Sequence, residues 1–176
     1  MNVEQWIYRQ HRDINHTYAG YLPYEFHLKM ARKVFVDYER LVIENPEQDY
    51  PRPIPLQEAV LGHDLLEDTN LSYNDVKNYL GEEVAELIYA VTNEKGRTRS
   101  DRANDKYYEG IRNSKGAEMV KLCDRLANVR YGTMMGGSML YTYKEENEEF
   151  IEKIGVDENH FLYPMVEELN KLFNAG

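Results

Sequence analysis

Residues 57–69, Gln-Glu-Ala-Val-Leu-Gly-His-Asp-Leu-Leu-Glu-Asp-Thr, set His63, Asp64, Glu67 and Asp68 within six residues at the end of an apolar run. Read as one helix, His63 and Glu67 lie four apart, as do Asp64 and Asp68, so the four polar groups project from adjoining rows near one end. Such a helix must turn its apolar stripe, Ala59, Val60 and Leu66, to a core. Its polar end must face something that tolerates an imidazole and three carboxylates. An ordinary solvated helix end scatters Lys and Glu instead. Imidazole nitrogen with carboxylate oxygen suits one divalent metal, Mn, Fe, Zn or Co, with the two acids one turn on able to hold or deprotonate an attacking water. For an isolated His-Asp pair the commoner meaning is a helix cap with Glu67 and Asp68 in water. Two other segments bear on that choice: His27 upstream, and Asp124 in Val-Lys-Leu-Cys-Asp-Arg-Leu-Ala-Asn-Val-Arg downstream.

The rest of the chain reads as helices. A first helix spans Asn2 to Asn15, with Val3, Trp6, Ile7 and Ile14 inward, and His11 and His16 near its end read as surface or interhelical histidines. Pro23 fits the opening turn of a second helix, in which His27 begins the inward spacing of Met30, Ala31, Val34, Phe35 and Tyr38. Asn45 to Pro55 holds four prolines among largely polar residues and is expected as a loop. Ser72 with Asp75 resembles a capping box for a helix to Leu80, ended by Gly81, and Glu82 to Val91 forms another amphipathic helix. Ala117 to Tyr131 is a strong helix whose broad apolar face is interrupted by Asp124, with Asn128 one turn on. A buried carboxylate there requires a cation, either a metal or a salt bridge from Lys121 or Arg125. A turn is expected over Gly132 to Ser138, then helices over Leu140 to Ile154 and Tyr163 to Phe173. No strand alternation, repeat or dinucleotide-type glycine loop is evident, so the fold class is all-α. At 176 residues one domain, 1–176, is expected.

A net charge of −10 argues against nucleic acid as the main partner. The charge is uneven: Lys95 to Lys115 carries seven basic residues against three acids, a local +4 that leaves −14 elsewhere. That stretch would draw a small anion such as a phosphorylated nucleotide, with Arg97, Arg99, Arg102 and Lys106 as candidate phosphate contacts; the plainer alternative is a solvated charged loop. The single cysteine, Cys123, rules out an intramolecular disulfide and reads as buried packing. The N-terminus has no basic region followed by an apolar core, and no run nears membrane-spanning length, so a cytoplasmic location without a membrane partner is expected.

The order His27, then His63-Asp64 with Glu67-Asp68, then Asp124 within Lys-Leu-Cys-Asp-Arg-Leu-Ala-Asn resembles the HD-domain metal-dependent phosphohydrolases. Within them it is most similar to the alarmone (p)ppGpp hydrolases, both the RelA/SpoT hydrolase domains and the stand-alone Mesh1-like enzymes. Gly20-Tyr-Leu-Pro-Tyr, Val91-Thr-Asn-Glu-Lys-Gly and Tyr143-Lys-Glu-Glu extend the likeness through most of the chain. The resemblance implies an HD-domain helical bundle in which His27, His63, Asp64 and Asp124 bind one metal, usually manganese. It implies that Glu67 and Asp68 position or activate the attacking water, and that Asn128 and Tyr24 contact substrate. Binuclear relatives place extra histidines between the His-Asp pair and the final Asp; none occurs between Asp64 and Asp124. The chain departs from the family pattern where a basic segment usually precedes the turn, having His16-Thr-Tyr-Ala-Gly20, and in having Leu28 after the first ligand in place of proline. Three functions follow for test: a 3′-pyrophosphohydrolase of (p)ppGpp, a hydrolase of another (deoxy)nucleotide with the same metal chemistry, and a non-catalytic metal-stabilised module that binds a nucleotide or protein.

Overall fold

The structure is a computed structural model that describes residues 2–174, and it is all-α apart from one two-residue strand pair. Helix α1 (Val3–Asp13) is capped by the Asn2 side chain, which accepts from the Gln5 amide, and it buries Ile7, Tyr8 and His11. Strands β1 (Thr17–Tyr18) and β2 (Leu22–Pro23) then pair antiparallel, Thr17 opposite Pro23. Pro23 therefore ends a strand, and α2 (Glu25–Ile43) begins after Tyr24, not at the proline as expected. Helix α2 buries His27, Leu28, Ala31, Val34 and Phe35 on one face.

Helix α3 (Pro53–Gly62) starts inside the segment expected as loop. A proline at the first helical position sacrifices only an amide that had no intrahelical partner. The helix expected through Thr69 is broken: α3 stops at Gly62, His63 and Asp64 form the joint, and α4 (Leu65–Asp68) follows as a single turn. At the joint a Cβ on Gly62 would stand 2.8 Å from Ile88 Cδ1, so a larger residue there would require Ile88 of α6 (Glu82–Val91) to shift. Helix α5 (Tyr73–Leu80) carries the expected Ser72/Asp75 capping box, and a second box, Thr98/Asp101, opens the short α7 (Arg99–Arg102) ahead of α8 (Asp105–Asn113). Helix α9 (Ala117–Met135) outruns its expected end and stops at Gly136, where φ is +72°. The helix expected over 140–154 divides at Glu146 into α10 (Met139–Glu145) and α11 (Asn147–Ile154), and α12 (Tyr163–Asn174) closes the described chain.

The buried apolar side chains form one continuous cluster. Leu28 and Phe35 of α2, Leu56 and Val60 of α3, Ile88 of α6 and Leu122, Cys123 and Leu126 of α9 are its centre, all fully buried. Helix α2 packs on α3 and α9, and α3 on α6. The opening turn of α2, the end of α3 and the middle of α9 thus meet, and these are the positions of His27, His63 and Asp124. Among the described residues no helix is long and apolar enough to cross a membrane.

Candidate metal centre and active-site cleft

Four side chains from separate elements converge at that meeting point. His27 Nε2 lies 3.2 Å from His63 Nε2 and 3.2 Å from Asp124 Oδ1. His63 Nε2 is 2.9 Å from Asp64 Oδ2 and 3.6 Å from Asp124 Oδ1. Both histidines are buried. His63 Nδ1 is 2.8 Å from the Val60 carbonyl, which can only accept, so Nδ1 carries a proton and Nε2 is the nitrogen turned inward, able to offer a lone pair when a cation replaces its proton. A ligand histidine anchored through its other nitrogen to a backbone carbonyl is the usual arrangement around a metal. His27, His63 and Asp64 each offer a ligand atom within 4.8 Å of the others, and Asp124 Oδ1 abuts both imidazoles. Two imidazole nitrogens and the Asp64 carboxylate, with Asp124 Oδ1 beside both rings, fit a divalent cation of mixed nitrogen and oxygen preference. The cluster's electrostatics agree. Burial opposes charge on His63, yet Asp64 and Asp124 outweigh it and raise its pKa well above the ordinary histidine value. Burial likewise opposes ionisation of both acids, but His63 for Asp64, and Lys121 with the imidazoles for Asp124, draw them below the carboxylate range.

Both alternatives for the cation beside Asp124 were open in the sequence, and one of the two candidate ion pairs forms. Lys121 Nζ donates to Asp124 Oδ2 at 2.9 Å, while Arg125 turns away to Glu146 at 3.4 Å, its guanidinium 4.1 Å from the Phe150 ring centre. Asn128 donates to Asp124 Oδ1 at 2.7 Å and accepts from the Tyr18 hydroxyl at 2.9 Å. Tyr24, read as a substrate contact, makes a short hydrogen bond to Asp64 Oδ2 and also lines the cleft. Burial, followed by the Asp64 charge, pushes its phenol far above the ordinary value, so it stays a donor.

Glu67 and Asp68 border the centre in different surroundings. Glu67 accepts from the Asn93 side chain at 2.9 and 3.0 Å and from its backbone amide at 3.3 Å. Asp68 stands 3.9 Å from His16 Nε2, and burial, then Asp64 and Glu67, push its pKa up to about 7. All six acidic and imidazole residues belong to or adjoin a cleft of about 340 Å³ with cationic and aromatic walls, including Arg99, Arg102, Lys153, Tyr108, Tyr143 and Phe150. Arg99 is held by Glu146 at 2.7 Å, whereas Arg102 has no carboxylate partner among the described residues. Arg97 and Lys106 do not line the cleft; Lys106 pairs with Glu94 at 2.8 Å. Sequence reasoning passed over Asn93 and Tyr143 as individual residues, although both lie in stretches that carried the family likeness. It read His11 and His16 as ordinary histidines, and Tyr18 bore no signal.

Comparison with known proteins gives first a class of fold. Over 98% of this chain and 92% of the other, the structure matches that of a metazoan orthologue of SpoT that hydrolyses ppGpp, with a TM-score of 0.69 and 21% identity. At that identity the likeness establishes a shared fold. Sequence then supplies particular relatives. A stretch of 77 residues is 34% identical to the guanosine-3′,5′-bis(diphosphate) 3′-pyrophosphohydrolase MESH1 of Mus musculus, covering 44% of this chain and 43% of that protein. A stretch of 72 residues is 35% identical to MESH1 of Drosophila melanogaster, covering 41% and 40%. A stretch of 98 residues is 34% identical to the guanosine-3′,5′-bis(diphosphate) 3′-pyrophosphohydrolase of Aquifex aeolicus, covering 54% of this chain and 13% of that one. The match thus spans less than half the length of these curated relatives. No protein-family model matches the chain.

Proposed function

We propose that the chain is a single-domain, HD-type metal-dependent phosphohydrolase that removes pyrophosphate from the 3′ position of (p)ppGpp. The observation that carries this reading is the cluster of His27, His63 and Asp64, with Asp124 against both imidazoles and two further carboxylates, Glu67 and Asp68, at its edge. A module that merely held a metal would have no use for those two acids. The names of its sequence relatives support the nucleotide, and the cationic cleft suits a phosphorylated one.

His27, His63, Asp64 and Asp124 would hold the cation, Mn²⁺ by family likeness with Fe, Co or Zn compatible with the same donors. When bound, such a cation supplies Lewis acidity toward the phosphoryl oxygens and lowers the pKa of water in its shell. Glu67, fixed by Asn93, is the candidate general base: its carboxylate takes the proton of the water that attacks the phosphorus next to the sugar 3′ oxygen. Asp68 shares in orienting that water. The P–O3′ bond breaks, the 3′ oxygen gains a proton, and GDP and pyrophosphate leave. Arg102, without a carboxylate partner among the described residues, offers its guanidinium to the phosphates away from the reacting one. Lys121, beside Asp124 and lining the cleft, adds positive charge close to the reacting group.

One observation favours a second reading. No Lys or Arg occurs between Asp13 and Lys29, so the wall that precedes His27 offers little to a doubly diphosphorylated ligand. A less charged (deoxy)nucleotide, cleaved with the same residues, answers to that feature. A panel of nucleotides incubated with Mn²⁺ decides between them. The first reading expects GDP and pyrophosphate in equal amounts from ppGpp. Orthophosphate, or turnover of another nucleotide with ppGpp left intact, selects the second, and binding without any turnover selects the non-catalytic module.

A further inference from the structure

Outside the proposed ligand set, two histidines face each other beside the cleft. His11, buried at the end of α1, and His16, half-buried just before β1, bring their Nδ1 atoms to 3.1 Å. Tyr24 clamps both rings from one side, stacking on His16 at 3.7 Å with 14° between planes and on His11 at 4.7 Å. The outer nitrogen of the pair, His16 Nε2, is 3.9 Å from Asp68 Oδ2, and His16 is the one polar side-chain partner of Asp68 among the described residues. We propose that His11 and His16 form a positioning relay in which His11 Nδ1–H donates to His16 Nδ1, and His16 Nε2–H, 3.9 Å from Asp68 Oδ2 and so short of a direct hydrogen bond, turns its N–H dipole to the Asp68 carboxylate and aims it at the metal centre.

The direction of the relay follows from counting protons. A neutral imidazole carries one N–H, and a carboxylate can only accept. For His16 to serve Asp68 its proton must sit on Nε2, which leaves His16 Nδ1 as an acceptor and makes His11 the donor at the 3.1 Å contact. His11 Nε2 is then a bare nitrogen. That atom is buried and has no hydrogen-bond partner among the described residues, and a lone pair there avoids the cost of an orphaned N–H. Burial holds His11 down at about 4, so the ring is neutral and has a single proton to place. The two carboxylates then have separate surroundings: Asn93 hydrogen-bonds Glu67 at 2.9 Å, and His16 faces Asp68 at 3.9 Å.

The proposal rests on the phosphohydrolase reading, and its test has an arm that does not. With ¹⁵N-labelled histidine and zinc as a diamagnetic metal, NMR should find His16 protonated at Nε2 and His11 at Nδ1; the reverse pair of tautomers overturns the relay. In kinetics, His16→Phe keeps the stack on Tyr24 but removes the donor, and it should lower kcat by about 10- to 100-fold with KM within about twofold. His16→Gln, whose amide reaches the Nε2 position, should recover most of that loss, and His11→Asn, which retains a donor at the Nδ1 position, should outperform His11→Leu. Equal loss in His16→Phe and His16→Gln, or a change confined to KM, overturns the positioning role. Should the wild type leave every nucleotide intact, the phosphohydrolase reading falls, and the tautomers still decide the hydrogen-bonded pair.

Discussion

Asp64 and Glu67 are three residues apart, yet the protein holds them by different means, and this separates their expected effects. Asp64 faces His63 at 2.9 Å and is capped by the Tyr24 hydroxyl. Asp64→Asn substitutes a neutral amide for one of two charged donors, so the purified variant should contain little metal and no measurable activity. Full occupancy by elemental analysis would remove Asp64 from the ligand set. Glu67 reaches outward to Asn93 and touches none of the four converging side chains in the hydrogen-bond network. Glu67→Gln should therefore keep metal and fold while kcat falls by roughly two to four orders of magnitude, the range for losing a general base. Loss of metal in that variant would move Glu67 into the coordination sphere. The candidates were legible in the sequence because His27 opens an inward-facing apolar spacing and Asp124 interrupts another, where an uncompensated polar group is costly, and the family likeness joined them to His63 and Asp64 as one set. Asn93 and Tyr143 were less legible because each works through a partner distant in sequence, which spacing along one element does not reveal.

Helices were legible where amphipathic spacing ran long, as in α2, α6 and α9, and breaks were less so. The joint at His63-Asp64 depends on α3 reaching α6 through Gly62, a tertiary contact, and on His63 turning back to the Val60 carbonyl. The β1–β2 pair is only two residues long, too short for alternation to register. The division at Glu146 coincides with that residue's bonds to Arg99 and Arg125, made across 47 and 21 positions of sequence. The basic stretch 95–115 is where reading by composition and reading by structure part most. As a charge count its residues are equivalent; folded, α7 puts Arg102 in the cleft, and the start of α8 puts Lys106 on Glu94 outside it. Arg102→Ala should raise KM about tenfold and flatten its dependence on salt, with metal content unchanged, while Lys106→Ala should stay within about twofold of wild type. Equal effects from the two variants would mean that the stretch acts as a diffuse field and not through α7.

Because its proposed ligands come from the first turn of α2, the end of α3 and the centre of α9, the metal centre is also a tie between the helices that make the core. Two imidazoles and two carboxylates meet there in a largely buried setting, in a chain that already carries −10. Without a cation the carboxylates rely on Lys121, Tyr24 and protonated histidine for compensation, and protons and metal compete for the same nitrogens. A cation that binds the folded chain and not the unfolded one stabilises it by mass action, about 2.7 kcal/mol when its concentration is a hundred times Kd. For a domain of this size that corresponds to a Tm roughly 5 to 10 °C higher than after chelation. Calorimetry of protein treated with EDTA and then returned to Mn²⁺ should show that interval and its recovery. The same cycle applied to Asp64→Asn should give almost none, since the tie has lost one of its charged ends. An equal shift in wild type and variant would place the stabilising metal elsewhere on the acidic surface, and the tie between α2, α3 and α9 would then be one of packing alone.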